Sequence, residues 1–156
     1  KNRPSMVLLT RQGLPVFDRS IYPEACSIEK GGYVMSDHDN PDVIILATGS
    51  EVWVALEAAN ILSDLNVKVV NLACWELFED QDSSYKKNIL KCSDNTLIVS
   101  VEAGITDGWQ KYTGRNGLNI GINTFGESAP GKEVAEHFGL TPESVADKIK
   151  HRMENT

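Results

Sequence analysis

The chain has 156 residues, of which 41% are hydrophobic and 24% are charged, a balance that is ordinary for one globular domain with a real core. Its formal net charge of −7 disfavours nucleic acid and anionic membranes as partners, because both bind basic protein surfaces. Anionic small molecules remain open as ligands, since a single arginine can bind a phosphate on an acidic protein.

The first apolar run, Met6–Thr10, has the length and composition of a buried strand. In residues 11–29, which follow it, the hydrophobic pattern has no period, and prolines mark an irregular connector. The chain also begins without a methionine and reaches this run within a few residues. We therefore expect a fragment, in which residues 1–30 end one domain and link it to a second domain of residues 31–156.

Beyond the connector, strands and helices alternate. The predicted strands are Tyr33–Met35, Asp42–Ala47, Val67–Leu72, Thr96–Val101 and Leu118–Ile122. The predicted helices are one between Ser50 and Asn66 with an apolar stripe, a short turn or helix start at Trp75–Phe78, and Asp82–Leu90, Asp107–Thr113, Pro130–Phe138 and Pro142–Met153. This alternation predicts an α/β fold, a three-layer α/β/α sandwich with a mostly parallel sheet of about five strands.

Two helix starts carry capping signals. Ser50 precedes the first long helix and is predicted to be its N-cap. Thr141 is predicted to cap the last helix, with Pro142 at the first helical position and Glu143 near the positive end of the helix dipole.

The longest apolar run, Val43–Ala47, has the length of a strand and is far too short to span a membrane. The first residues are also too poor in apolar side chains for a signal peptide. Cys26, Cys74 and Cys92 are odd in number and fit no zinc spacing, so they are interpreted as free thiols in a reducing cytoplasm.

Ligands of parallel sheets bind beyond the carboxyl ends of the strands, where three polar clusters fall, Thr48–Glu51, Ala73–Glu76 and Glu102–Gly104. The first cluster precedes a helix and is either an anion-binding turn or an ordinary turn with a capping serine, and the ordinary turn is favoured. Glu76 and Glu102 are either an acid–base pair or carboxylates that hydrogen-bond nearby backbone, and the second interpretation is favoured.

Other reactive side chains lack partners in the sequence. Asp37–Asp39 includes His38 and resembles part of a metal site, but it lies in a polar turn and is interpreted as solvated. Cys74 is either a nucleophile or a core or interface thiol, and the thiol is favoured. His137 and His151 have no evident partner. The residues alone therefore predict an acidic α/β domain without catalytic, cofactor-binding or metal-binding residues of its own.

Six runs, in order along nearly the whole chain, resemble transketolase. They are Thr10–Pro15 (similar to S-R-Q-N-L-P), Pro41–Glu51 (P-D-V-I-L-I-A-T-G-S-E), Trp75–Asp82 (W-E-L-F-x-x-Q-D), Val101–Tyr112 (V-E-A-G and W-x-K-Y), Phe125–Pro130 (F-G-x-S-A-P) and Phe138–Thr141 (F-G-[FL]-T). The departures are small and include Thr10 for serine, Gly13 for asparagine, and Ala73-Cys74 for proline-serine.

The resemblance implies a parent enzyme that transfers a two-carbon ketol unit between sugar phosphates in the pentose phosphate pathway. It also implies thiamine diphosphate, a divalent metal (magnesium or calcium) and a homodimer, with the cofactor, metal and catalytic residues in two preceding domains. Residues 1–30 then correspond to the end of the pyrimidine-binding domain and a linker, and residues 31–156 to the C-terminal domain. We expect this chain alone to bind no cofactor and to be inactive.

One functional residue carries over from the family. Arg11 occupies the arginine of the S-R-Q segment, which in transketolases binds the terminal phosphate of the substrate, and a guanidinium fork suits phosphate oxygens. The resemblance further suggests that Trp109–Tyr112 and Gly49–Glu51 lie near domain or subunit contacts. The alternatives are a free-standing regulatory or ligand-binding module and the same domain of dihydroxyacetone synthase.

Overall fold

The computed structural model of the chain describes residues 4–155, so residues 1–3 of the predicted linker and residue 156 of the predicted second domain lie outside it. Within that range the strands are β1 (Tyr33–Ser36), β2 (Val43–Ala47), β3 (Val67–Asn71), β4 (Leu97–Val101) and β5 (Leu118–Ile120). The α-helices are α1 (Glu51–Ile61), α2 (Trp75–Glu79), α3 (Ser83–Ile89), α4 (Gln110–Thr113), α5 (Gly131–Phe138) and α6 (Pro142–Glu154). A 3-10 helix, Ala25–Lys30, precedes β1.

The strands form one sheet in the order β1-β3-β2-β4-β5. The central strand β2 pairs in parallel with β3 and β4, β5 runs parallel to β4, and only β1, at one edge, is antiparallel. All residues of β2 are buried, as expected for a strand that is covered by helices on both faces. The predicted α/β fold with a mostly parallel five-stranded sheet is confirmed.

Two apolar cores lie on opposite faces of the sheet. On one face, α1 and α6 pack on side chains that include Val43, Ile45 and Val99. On the other face, α2, α3 and α4 pack on Ile44, Leu46 and Val70. Neighbouring residues of β2 thus enter different cores, because successive side chains of a strand point to opposite faces.

Gly31 joins the 3-10 helix to β1 in a conformation that requires glycine. Its φ is +77°, and a Cβ at this position would collide with the backbone of Cys74 and Phe78. The close approach lets the Cys74 N–H donate to the Gly31 carbonyl at 2.9 Å, which ties the start of the sheet to α2.

The prediction of a buried strand at Met6–Thr10 is wrong for this chain. The segment forms no strand, and Met6 and Leu8 are 84% and 85% exposed. The physical reason is that an extended segment becomes a strand only when a neighbour accepts its hydrogen bonds and covers its side chains. Within residues 4–155 no strand pairs with this segment.

The two capping predictions have different outcomes. Thr141 is extended and its Oγ1 accepts a hydrogen bond from the Ser144 N–H at 3.2 Å, as predicted. Ser50 is not a side-chain cap, because it already has helical angles of φ −63° and ψ −29° and its hydroxyl donates to Glu51. The 3-10 helix within the connector was also not predicted.

Candidate functional site

Arg11 lies in the exposed stretch of residues 4–16, outside both cores. Among the described residues, no hydrogen bond or ion pair engages its guanidinium. The next residue, Gln12, places Oε1 3.7 Å from the position that a Cβ would take on Gly131, the first residue of α5. The N–H donors of Arg11 are therefore available to an external anion.

A carboxylate closes the turn between β2 and α1. Glu51 Oε1 accepts a hydrogen bond from the Ser50 hydroxyl at 2.7 Å, and its Oε2 accepts one from the Ala103 N–H at 3.3 Å. The side chain therefore links the carboxyl ends of β2 and β4. Since this negative charge already occupies the positive end of the α1 dipole, the geometry favours the ordinary turn over an anion-binding turn.

Glu102 and Glu76 are each engaged by a side chain. Glu102 accepts a hydrogen bond from the Trp109 indole nitrogen at 2.7 Å, and Glu76 accepts one from the Cys74 thiol at 3.4 Å. The prediction that both carboxylates bond to nearby backbone is thus replaced by bonds to side chains. Glu102 satisfies an indole that is only 1% exposed, which is a structural task and not an acid–base one.

Glu79, at the end of α2, is the most strongly perturbed acid among the described residues. Its carboxylate accepts hydrogen bonds from Lys111 at 2.8 Å, Lys86 at 3.0 Å and the Tyr112 hydroxyl at 3.0 Å. Lys111, then Lys86, lower the Glu79 pKa to about 2, and burial together with Glu79 raises the Tyr112 pKa. Glu79 thereby links α2, α3 and α4 on one face of the sheet.

Trp109 and Tyr112 do not form an external contact surface, contrary to the expectation from the resemblance. They are 1% and 7% exposed, and their ring centroids lie 6.2 Å apart. Trp75 packs edge-on against both, at 5.0 Å and 5.3 Å. These rings are covered by the chain itself because α2 and α4 lie side by side over β4.

The remaining candidates form no reactive cluster. Asp37 pairs with the buried Lys68 at 3.1 Å, and within residues 4–155 no group of three or more His, Cys, Asp or Glu side chains is arranged to hold a metal ion. Cys26, Cys74 and Cys92 are free thiols. The described helices also include none that is long and apolar enough to span a bilayer.

A cavity of about 300 Å³ lies between the connector and α1. Tyr22, Met35, Asp37, Leu56 and Asn60 are among its lining residues. Its carboxylate, Asp37, is already engaged by Lys68, and the lining contains neither histidine nor cysteine. The cavity therefore does not bring together a nucleophile and a base.

Sequence reasoning missed the bonds of Glu79, the link from Glu51 to Ala103 and the packing of the connector on α1. Each joins residues that are distant along the chain or carry no motif. The run that ends at Glu79 marks a conserved-looking helix by its resemblance, but no spacing in the sequence points from Glu79 to Lys111 or Tyr112. Only the pairing of the strands brings α2 and α4 together.

Comparison with known proteins gives a consistent result. A family model described as the transketolase-like TK C-terminal domain matches residues 31–141. The transketolase of Aquifex aeolicus (strain VF5) is 49% identical over 152 residues, which cover 96% of this chain and 22% of that protein. Transketolase-1, chloroplastic, of Arabidopsis thaliana is 43% identical over 155 residues, which cover 96% of this chain and 20% of that protein.

A solved structure agrees with these sequence matches. A transketolase mutant from Pichia stipitis, in complex with xylulose 5-phosphate, superposes with a TM-score of 0.82 at 35% identity over 92% of this chain and 20% of that one. The chain thus spans about a fifth of the length of the relatives it matches. The matches support transketolase over a free-standing module or dihydroxyacetone synthase, and they confirm the resemblance seen in the six runs: the chain belongs to the transketolase family, whose C-terminal domain it contains.

Proposed function

We propose that this chain is the C-terminal part of a transketolase that transfers a two-carbon ketol unit from a ketose phosphate to an aldose phosphate in the pentose phosphate pathway. The observation that carries this proposal is the 49% identity to a transketolase over 96% of the chain. The solved relative in complex with xylulose 5-phosphate supports sugar phosphates as the substrates.

Thiamine diphosphate and a divalent metal belong, in this proposal, to the preceding domains of the enzyme. When bound, thiamine diphosphate supplies the stabilised carbanion that ketol transfer needs. The described residues do not fit the metal, since they contain no suitable group of ligands, and we place no catalytic residue among them. The role of this chain is to bind the substrate phosphate and to support a homodimer.

Arg11 is the residue that we assign to the substrate phosphate. Its exposed guanidinium has no partner among residues 4–155, although an arginine that only caps the end of a segment normally bonds carbonyl groups. A planar guanidinium can bind two phosphate oxygens at once, which suits the terminal phosphate of a sugar. The three free thiols fit a cytoplasmic location.

The phosphate role is tested in the complete enzyme with Arg11→Ala. The KM for an aldose phosphate should rise at least tenfold, whereas the KM for the same aldose without phosphate should change little, because only the first loses a charge-assisted bond. Arg115→Ala is the matched control, since Arg115 is also an exposed arginine. An equal rise for both substrates would remove Arg11 from the phosphate site.

The placement of the catalytic residues is tested by assaying this chain beside the complete enzyme, both with thiamine diphosphate and magnesium. We expect ketol transfer only in the complete enzyme. Transfer by the chain alone would contradict the proposal and would require a cofactor site within these residues.

A further inference from the structure

The connector that follows Arg11 contains a folded turn. Asp18 Oδ1 accepts hydrogen bonds from the Ser20 N–H at 2.9 Å and the Ser20 hydroxyl at 2.7 Å. The Asp18 carbonyl accepts one from the Tyr22 N–H at 2.9 Å, and Arg19 Nη1 donates to the Pro23 carbonyl at 2.6 Å. These bonds give residues 18–23 a defined shape, although the sequence predicted only an irregular stretch.

Aromatic rings attach this turn to the domain. The Phe17 ring lies 5.1 Å from Tyr22 and 6.1 Å from Trp53, in the first half of α1, and the Arg19 guanidinium lies 5.8 Å above Phe17. These separations fall within the range of about 4.5–7 Å in which aromatic rings attract each other. We name Phe17, Tyr22 and Trp53 the aromatic clasp.

The aromatic clasp marks a boundary in the exposure of the chain. Residues 4–16 are all exposed, whereas Phe17 and Tyr22 are half-buried and pack against the core on the α1 face. Phe17 is therefore the first residue of the described chain that packs into the domain. Arg11 is separated from this fixed point only by residues 12–16.

We infer that the aromatic clasp positions Arg11 for the substrate phosphate in the complete enzyme, an inference that rests on the phosphate role proposed above. With the clasp closed, residues 11–16 connect Arg11 to a fixed point on the domain. With the clasp open, the next fixed point is Gly31, held against Cys74 and Phe78, and the tether extends over residues 11–30. The longer tether lowers the probability that Arg11 occupies its binding position by roughly sixfold, from the length dependence of loop closure.

The inference is tested by steady-state kinetics of the complete enzyme with Phe17→Ala, which opens the clasp without changing α1. We expect the KM for an aldose phosphate to rise roughly sixfold, as the tether estimate gives, with kcat and the KM for the unphosphorylated aldose unchanged. Trp53→Ala should act alike and Trp53→Phe should restore the wild-type KM, because a phenyl ring keeps the contact. Glu57→Ala, on the same face of α1, is the matched control and should have no effect.

An unchanged KM in both Phe17→Ala and Trp53→Ala, or an equal rise for both aldoses, would overturn the positioning role. A second measurement separates this failure from failure of the proposed function. In NMR spectra of the 156-residue chain, nuclear Overhauser effects between the Phe17 and Trp53 rings should be present and should vanish in Phe17→Ala. Their absence in the wild type would overturn the clasp itself, whereas clasp contacts together with no effect of Arg11→Ala would reject only the phosphate role.

Discussion

The two faces of the sheet are held by different chemistry. On the face covered by α1 and α6, the fully buried side chains are aliphatic, such as Ile45 and Ile149. On the face covered by α2, α3 and α4, aromatic rings surround Trp109, and Glu79 joins two lysines and a tyrosine at the rim. One face therefore depends on apolar burial alone, and the other depends also on directed bonds.

This difference separates two requirements on the sequence. Aliphatic packing is non-directional, so a core of this kind tolerates exchanges that conserve volume. A hydrogen-bonded carboxylate needs each partner at a fixed distance, and a partner that is removed leaves a polar group unsatisfied. The aromatic face should therefore be more sensitive both to single substitutions and to pH.

The largest effect is expected from removing the central ring of the aromatic face. Trp109→Ala should lower the free energy of unfolding by about 3–5 kcal/mol, because it opens a cavity and leaves Glu102 without its indole donor. Ile149→Ala, on the aliphatic face, should cost about 2–5 kcal/mol and fall below the Trp109 variant. Urea unfolding followed by circular dichroism measures both, and a larger loss for Ile149→Ala would contradict the comparison.

The next effect concerns acid. The Glu79 pKa is lowered from 4.5 to about 2, so the unfolded chain binds this proton more readily than the folded one. The stability that Glu79 contributes is therefore fully present above pH 4.5 and is lost as the pH falls towards 2. Wild type should be more stable than Glu79→Gln at neutral pH, and the two free energies of unfolding should converge in acid. Parallel curves would exclude Glu79 as the source.

A smaller loss is expected for Tyr112→Phe, which removes one of the bonds to Glu79 and keeps the ring. Because the acceptor is charged, the expected cost is about 1.5–3 kcal/mol in urea unfolding. Tyr85→Phe is the matched control, since its hydroxyl donates to the neutral Gly32 carbonyl at 2.8 Å and should contribute about 0.5–1.5 kcal/mol. Equal losses would mean that the charge of Glu79 adds nothing to this bond.

The smallest effects lie at the helix starts of the aliphatic face. Thr141→Ala removes a side-chain cap and should lower the melting stability of the chain by about 1 kcal/mol. Ser50→Ala should cost at most about 0.5 kcal/mol, because Ser50 bonds only to the adjacent Glu51 and does not cap the helix. Thermal unfolding of both variants checks the order, and a larger loss at Ser50 would restore its predicted capping role.

The fold was largely predictable and the candidate site only in part. The apolar run of β2 and the stripe of α1 report their own burial, so the strands and helices could be predicted from local patterns. Arg11 was identified through the S-R-Q resemblance and not from its surroundings. Met6–Thr10 was mispredicted because its pattern is that of a strand, whereas strand formation depends on a neighbour.

The sequence by itself determined the order of elements, the central buried strand, the Thr141 cap and the family. Each of these depends on residues that are close together along the chain, where periodicity and motif spacing carry the information. The tertiary structure alone decided that Glu79 meets Lys111, that Trp109 is buried against Trp75, and that Phe17 reaches Trp53. These partners are brought together by the crossover connections of the sheet, and the spacing of residues along the chain does not encode such contacts.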